Sequence, residues 1–412
     1  MTTLSLPLPR LDTLRRLLLS RLVFNLASLL GLAQALLAHW VAVVLLRDGG
    51  VPPLVWAGVA AGLGVANALS VPPITRARRR GDRLGTLARA YMQFGVATLL
   101  AATAVALSWA LYALFAAAAW ALGADPVAVF PAFRLLSAIA VGAVVAQTVW
   151  GFTGGQARVE VTRIRMPLPR LDPALAGLRM VHISDLHIGN GLEGVRLDQM
   201  VDRTNATDPD VVVLTGDIFD FDPSHVEDGA RRLGRLRARH GVYAILGNHD
   251  HYVGVEVVAD AIARHAPGLR LLRNELARLP VDAPLYLAGV EDPGGRRWHH
   301  RGLRIDAIDA LARERPDDGP VVVLVHQPEA FAHAAECGFP LVLSGHTHGG
   351  QLALPVAGGR INLARVMTRF TRGIYHFEES ILYVNRGLGV GGPALRIHCN
   401  REIAVLELTP AD

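Results

Sequence analysis

Residues 343–352 read LSGHTHGGQL. The apolar run PLVLS (340–344) stops at two histidines one residue apart, His346 and His348, with glycines on both sides. A short apolar run cut off by glycine reads as a buried strand. Glycine lets the backbone turn sharply and approach a ligand closely. The stretch therefore reads as a strand ending in a tight turn that can hand one imidazole to each of two metal ions.

The pattern recurs upstream. VHIS (181–184) is followed by Asp185 and His187, and VVVLT (211–215) by Asp217 and Asp220. YAIL (243–246) is followed by Asn248, His249 and Asp250, and VVVLV (321–325) by His326. In layered α/β folds, sites collect beyond strand ends. Taken singly, Asp185 and Asp217 also read as helix caps, Asn248 as a turn residue and His326 as an ordinary strand end. Packing does not explain five strand ends with oxygen or nitrogen donors in one region. Two divalent cations about 4 Å apart need an anionic oxygen between them, which an aspartate supplies. A mixed Asp/His/Asn set suits Mn, Fe or Zn in a hydrolytic centre rather than an electron-transfer site.

Runs such as PLYLAGV (284–290), ILYVN (381–385) and IAVLELT (403–409) add further strands. LDQMVDRTNAT (197–207) and GVEVVADAIARHA (254–266) read as amphipathic helices between them. From Val159 on, the chain is an α/β domain with buried sheets.

DLH (185–187), GDIFD (216–220), GNHD (247–250), HQP (326–328) and GHTH (345–348), in this order, resemble the calcineurin-like metallophosphoesterase superfamily. GHTHGGQ (345–351) and YVNRGLG (383–389) resemble its bacterial membrane-associated branch. The resemblance spans roughly residues 159–410 and implies a two-sheet αββα sandwich. It implies that Asp185, His187 and His348 hold one metal ion and Asn248, His326 and His346 a second, with Asp217 bridging. It places His249 beside the phosphate, as charge stabiliser or proton donor. Asp250 is the carboxylate expected to orient the His249 ring, and Asp220 an acceptor behind the ligands. The implied reaction is phosphoester hydrolysis by a hydroxide activated at a dinuclear centre.

Ahead of this domain the composition changes. Apolar residues make up 51% of the 412-residue chain, high for a soluble enzyme. They concentrate in four uncharged runs, giving expected spans at about 22–46, 52–73, 91–123 and 132–152. The expected division is a transmembrane region at 1–155 and a catalytic domain at 156–412. All cationic side chains other than histidine are arginine, and the formal net charge is +5. Arginines cluster before the first run, between the second and third, and after the fourth. Basic loops stay cytoplasmic, which puts the N-terminus and the catalytic domain inside a bacterial inner membrane. Arg15-Arg16 before leucines also resembles a twin-arginine export signal, but such a signal carries one short apolar stretch. Cys337 and Cys399 make no disulfide framework and fit a reducing compartment.

Other residues take plainer readings. His182 is structural, His251 a bystander, and His39 an interhelical polar group. The basic run GGRRWHHRGLR (294–304) and Arg386 are candidate phosphate or head-group contacts. Nothing resembles a nucleic-acid module. The expected whole is a multi-pass membrane hydrolase acting on a phosphorylated small molecule, lipid or lipid precursor. Two other classes stay open: a sensor or scaffold that binds a phosphorylated ligand without turnover, and a transporter with a fused regulatory hydrolase.

Overall fold

The computed structural model describes residues 11–47, 50–79, 85–292, 305–356, 359 and 361–411. Two compact units divide the chain, Met1–Val149 and Trp150–Asp412.

The first unit is helical: α1 (Leu11–Trp40), α2 (Pro53–Arg79), α3 (Thr86–Ala121) and α4 (Phe130–Phe152), the last running into the second unit. Four stretches are long and apolar enough to cross a membrane: Asn25–Leu45, Pro53–Ile74, Leu87–Ala121 and Pro126–Ala157. Small residues let α1 and α2 approach closely. A Cβ on Gly31 would lie 2.5 Å from the Gly64 nitrogen. Polar side chains pair between helices, Asn67 with Gln34 at 2.9 Å and Trp40 with Ser137 at 3.2 Å. His39 packs against the Trp56 and Trp109 rings, at 5.3 and 5.9 Å between centroids. Pro72 and Pro73, expected to bound the second span, lie inside α2 near its end. Proline costs backbone hydrogen bonds in a helix, which a packed membrane helix tolerates better than an isolated one.

The second unit carries two six-stranded sheets. The first has the order β1-β12-β2-β3-β4-β5, the second β10-β11-β9-β8-β7-β6. The strands are β1 (Val159–Leu168), β2 (Arg179–Ile183), β3 (Val211–Thr215), β4 (Val242–Ile245), β5 (Leu269–Leu271) and β6 (Glu275–Arg278). They continue with β7 (Tyr286–Gly289), β8 (Val321–Leu324), β9 (Leu341–Ser344), β10 (Gly373–Phe377), β11 (Ser380–Val384) and β12 (Arg401–Pro410). Side chains alternate across a strand, so the VVVL runs feed two cores. Val211 and Val213 face the second sheet, meeting Leu287, Leu324 and Leu343. Val212 and Leu214 face the outer helices α6 (Val195–Asn205), α7 (Val226–Leu233) and α9 (Val255–His265). On the far side, α10 (Ile305–Arg313) and α11 (Phe331–Glu336) cover β8 and β9 through Ile308, Leu311 and Phe331. Two short helices complete the set, α5 (Gly154–Ala157) and α8 (Asn248–Val253). This is the αββα sandwich, and within each sheet the parallel inner strands, β2, β3 and β4 in one and β8 and β9 in the other, send their following loops to the same edge.

Candidate metal centre

The loops after β2, β3, β4, β8 and β9 converge. Asp185, His187, Asp217, Asn248, His326 and His348 are buried. His187 Nε2 lies 3.0 Å from His348 Nε2, and His348 Nε2 lies 3.6 Å from Asp185 Oδ1. His326 Nε2 lies 3.1 Å from Asn248 Oδ1 and 3.2 Å from His346 Nδ1. Asp217 joins the two groups. Its Oδ1 accepts the His249 amide at 2.8 Å, while Oδ2 stands 3.4 Å from His187 Nε2 and 3.2 Å from His326 Nε2. The seven expected ligand residues are thus brought together in two nests that share one carboxylate oxygen.

The ring orientations are set from behind. His187 Nδ1 donates to Asp220 Oδ1 at 3.1 Å, and His326 Nδ1 to the Thr215 carbonyl at 2.8 Å. With Nδ1 pinned as donor, each ring turns Nε2 inward, the nitrogen whose lone pair the neutral ring would offer to a metal ion. The His346 amide is held by both Asp185 oxygens, at 2.9 and 3.1 Å. A Cβ on Gly345 would collide with Ser184 Oγ and Asp185 Oδ2, so only glycine allows this approach.

The backbone is strained here. Asp185, His187, Asp217, His346 and His348 have φ between 45° and 71°. These are five of twelve such non-glycine residues among those described, gathered in one cluster. Left-handed backbone costs an L-residue about 1 kcal/mol or more. Such strain concentrates where side chains must be aimed.

Electrostatics fit cations. Burial opposes charge on His326, yet Asp217 and Asp185 push its pKa well above the usual range. Burial also opposes charge on His187, but Asp220, Asp217 and Asp185 raise its pKa. Their partners move oppositely. Burial and His326 push His346 down to about 4, and burial and His187 push His348 well down. Asp217 stays well below the carboxylate range despite burial, because His326, His249 and His187 surround it. Each ring pair thus favours one positive charge in the gap between two nitrogens. Residues that converge imidazole nitrogens on a shared carboxylate fit two divalent ions.

His249 Nδ1 pairs with Asp220 Oδ1 at 2.9 Å, so Asp220 orients both His187 and His249. This corrects the expectation for Asp250. The Asp250 carboxylate instead accepts the amides of Gly247, Phe219 and Ile218, at 2.8, 2.9 and 3.2 Å. It ties the β3 and β4 loops together, and burial with Asp217 nearby raises its pKa to about 7. His182 is structural, with Nε2 2.8 Å from Thr215 Oγ1, and burial lowers its pKa to about 3. His251 stands 3.8 Å from Glu291 and outside the nests. The basic run 294–304 lies outside the described residues. A separate group, Asp309, His333 and Cys337, sits apart on α10 and at α11. Its His333–Asp309 contact of 2.7 Å is already a complete donor–acceptor pair.

Arg386 is also corrected. Its guanidinium is committed to Glu402 at 2.8 Å and Glu160 at 2.9 Å, and is not free for phosphate. Burial opposes charge on Glu402, but Arg386 outweighs it and holds the carboxyl below its usual range. Removing one partner of a buried pair typically costs about 3–5 kcal/mol. Arg386→Leu should therefore lower unfolding free energy by about that much, measured by denaturant unfolding of the full chain in detergent. A loss below about 1 kcal/mol would assign the pair no structural role.

Two features have little sequence signal. Phe221 and Tyr252 stack at 5.1 Å beside His249, with ring centroids 4.9 and 5.1 Å from it. Isolated aromatics after GDIFD and GNHD do not announce a pair. Arg396 is fully buried and donates to the carbonyls of Arg386, Gly387 and Gly389. That turn in turn rests on the ligand loop, the Gly389 amide meeting the Asp185 carbonyl at 2.7 Å.

Residues 178–350, which contain all seven expected ligands, match the family of calcineurin-like phosphoesterases. This region is similar to a calcineurin-like phosphoesterase domain. A Danio rerio protein described as a transmembrane protein with metallophosphoesterase domain is 34% identical over 270 residues, 64% of this chain and 60% of that one. An uncharacterized metallophosphoesterase of Campylobacter jejuni is 31% identical over 250 residues, 60% of this chain and 63% of its own. The chain thus spans about three-fifths of the length of these curated relatives. A solved structure from Thermus thermophilus is similar over 51% of this chain and 89% of its own, at 15% identity and a TM-score of 0.36. In this chain the matching region is preceded by the four apolar helices.

Proposed function

We propose that this chain is a membrane-anchored, metal-dependent hydrolase of phosphoesters, with a dinuclear centre built on Asp217. The carrying observation is Asp217 Oδ2, which stands between His187 Nε2 and His326 Nε2. In this reading Asp185, His187 and His348 would hold one ion and Asn248, His326 and His346 the other, with Asp217 contributing to both. Bound divalent ions would supply a water nucleophile at neutral pH and neutralise phosphoryl charge. The chain's own residues do the rest. His249, aimed by Asp220, protonates the leaving oxygen or stabilises its charge. Asp220 keeps the His187 and His249 rings in one tautomer each. Asp250 keeps the two loops in register.

The membrane reading rests on the four apolar helices and their arginine-flanked loops. It divides the chain near residue 155 and, from the arginine distribution, puts the catalytic domain on the cytoplasmic side of a bacterial inner membrane. An active site confined near a bilayer favours a phosphodiester or pyrophosphate of a lipid or lipid precursor.

The test uses the full chain in detergent, stripped of metal and reloaded with Mn²⁺, Fe²⁺ or Zn²⁺, on a chromogenic phosphodiester and monoester. Metal-dependent turnover of either ester is the expected result, and its ratio names the ester class. Two tightly bound ions with no turnover of either soluble ester or a panel of lipid phosphates would turn the reading to a ligand-binding sensor.

A further inference from the structure

The segment after the GHTH turn is built inside out. Leu352 and Leu363, and Leu354 and Ile361, are joined by backbone hydrogen bonds at 3.0 and 2.8 Å, forming a small hairpin. Ala353 and Asn362 pair within it and are buried. The outward positions are the apolar ones. Leu354, Val356, Ile361, Leu363, Val366 and Met367 are between 51% and 84% exposed. A hairpin meant for water puts polar side chains on that face. Single exposed apolar residues are ordinary, but six within fourteen residues form a patch that needs a partner.

Charge decides what kind of partner. From Gln351 to Phe377 the sequence has no aspartate or glutamate, while Arg360, Arg365, Arg369 and Arg372 lie within it. Arg365 and Arg369 are exposed beside Val366 and Met367. An apolar tip flanked by cations and free of anions is the composition of an element that dips into an anionic leaflet. The same chain carries four helices apolar enough to cross a membrane.

The hairpin is tied to the centre at both ends. The Gln351 amide meets the His348 carbonyl at 3.1 Å, and Gln351 Nε2 donates to Gly391 at 3.0 Å. Where the segment returns, Thr347 Oγ1, between the two histidines, donates to the Thr371 carbonyl at 2.7 Å. Whatever holds the hairpin is therefore coupled to the loop that carries His346 and His348.

We propose that the exposed side chains of Leu354, Val356, Ile361, Leu363, Val366 and Met367 insert into the lipid leaflet and bring the metal centre to the head-group layer, so that its substrate is a phosphate carried by a lipid. The substrate class rests on the phosphoesterase reading above; the insertion does not. The insertion is tested without turnover. The full chain, with Cys337→Ser and Val366→Cys, is spin-labelled at position 366 and reconstituted into vesicles of phosphatidylcholine and phosphatidylglycerol at 3:1. A label at Val257→Cys on α9 serves as the comparator, since Val257 is also exposed but has no such patch.

Power saturation by oxygen and by a water-soluble nickel chelate reads depth. The expected result is high oxygen and low nickel accessibility at 366, and the reverse at 257. Equal nickel accessibility at both sites would overturn the insertion. So would shielding of 366 from both relaxants with spin–spin broadening that vanishes on dilution with unlabelled chain, which marks a second copy as the occupant. An inserted label on a chain that hydrolyses no ester would sink the phosphoesterase reading and leave the insertion standing.

Discussion

Asp217→Asn should leave a folded protein that binds metal poorly and turns over phosphoesters at under about one-hundredth of the parent rate. The side chain is 2% exposed, and its Oδ1 accepts the His249 amide. An asparagine oxygen can keep that bond, so the β3 loop has no reason to collapse. Oδ2 is the atom that changes. It is the oxygen near both His187 and His326, and an amide NH₂ there offers neither negative charge nor a lone pair. Changing an outer residue of a metal site typically costs about 10–100-fold in affinity or activity. Loss of the one anion common to both nests must exceed that. Metal content per chain and kcat at saturating Mn²⁺ are the measurements. Unchanged kcat with full metal content would show that Asp217 bridges nothing.

His249→Gln should separate catalysis from metal binding. His249 is not among the expected ligands, and its Nδ1 is taken by Asp220. Its remaining nitrogen is the one free to handle a proton at the leaving oxygen. General acid catalysis by a placed side chain contributes roughly 10²–10⁴-fold. The variant should lose turnover in that range while metal content stays at the parent level. The loss should depend on the leaving group. A nitrophenolate leaves without a proton, whereas an alkoxide needs one, so an alkyl diester should suffer more than a nitrophenyl diester. Equal losses on both would make His249 a charge stabiliser rather than a proton donor.

Much of this was legible in the sequence, for a physical reason. The inner strands are buried on both faces, so they appear as unbroken apolar runs, and the residues beyond them are polar because the site is there. β2, β3, β4, β7, β8, β9, β11 and β12 all announce themselves this way. β1, β5, β6 and β10 do not, and they are the four edge strands of the two sheets. β1 reads VEVTRIRMPL, with charged residues facing out, as an edge should. Edge strands lack the one signal that buried strands possess.

The site was legible as a set of donors but not as a set of partnerships. Asp250 follows His249 directly in sequence, yet the carboxylate that reaches the ring comes from Asp220, twenty-nine residues earlier. Adjacent residues on a helix point to different sides, and Asp250 turns back to three loop amides. Arg386 looked free because Glu402 and Glu160 are remote in sequence, and only the β1–β12 pairing brings them beside it. The left-handed backbone at five of the expected ligand positions has no signature in residue type, since aspartate and histidine do not require it.

The most direct measurement is the metal stoichiometry of the full chain, by Mn²⁺ titration with electron paramagnetic resonance in detergent. Two Mn²⁺ per chain with the exchange-coupled spectrum of a close pair, reduced to an uncoupled signal in Asp217→Asn, is the result the shared carboxylate predicts. A single uncoupled Mn²⁺ in the parent chain, unchanged by that substitution, would contradict it.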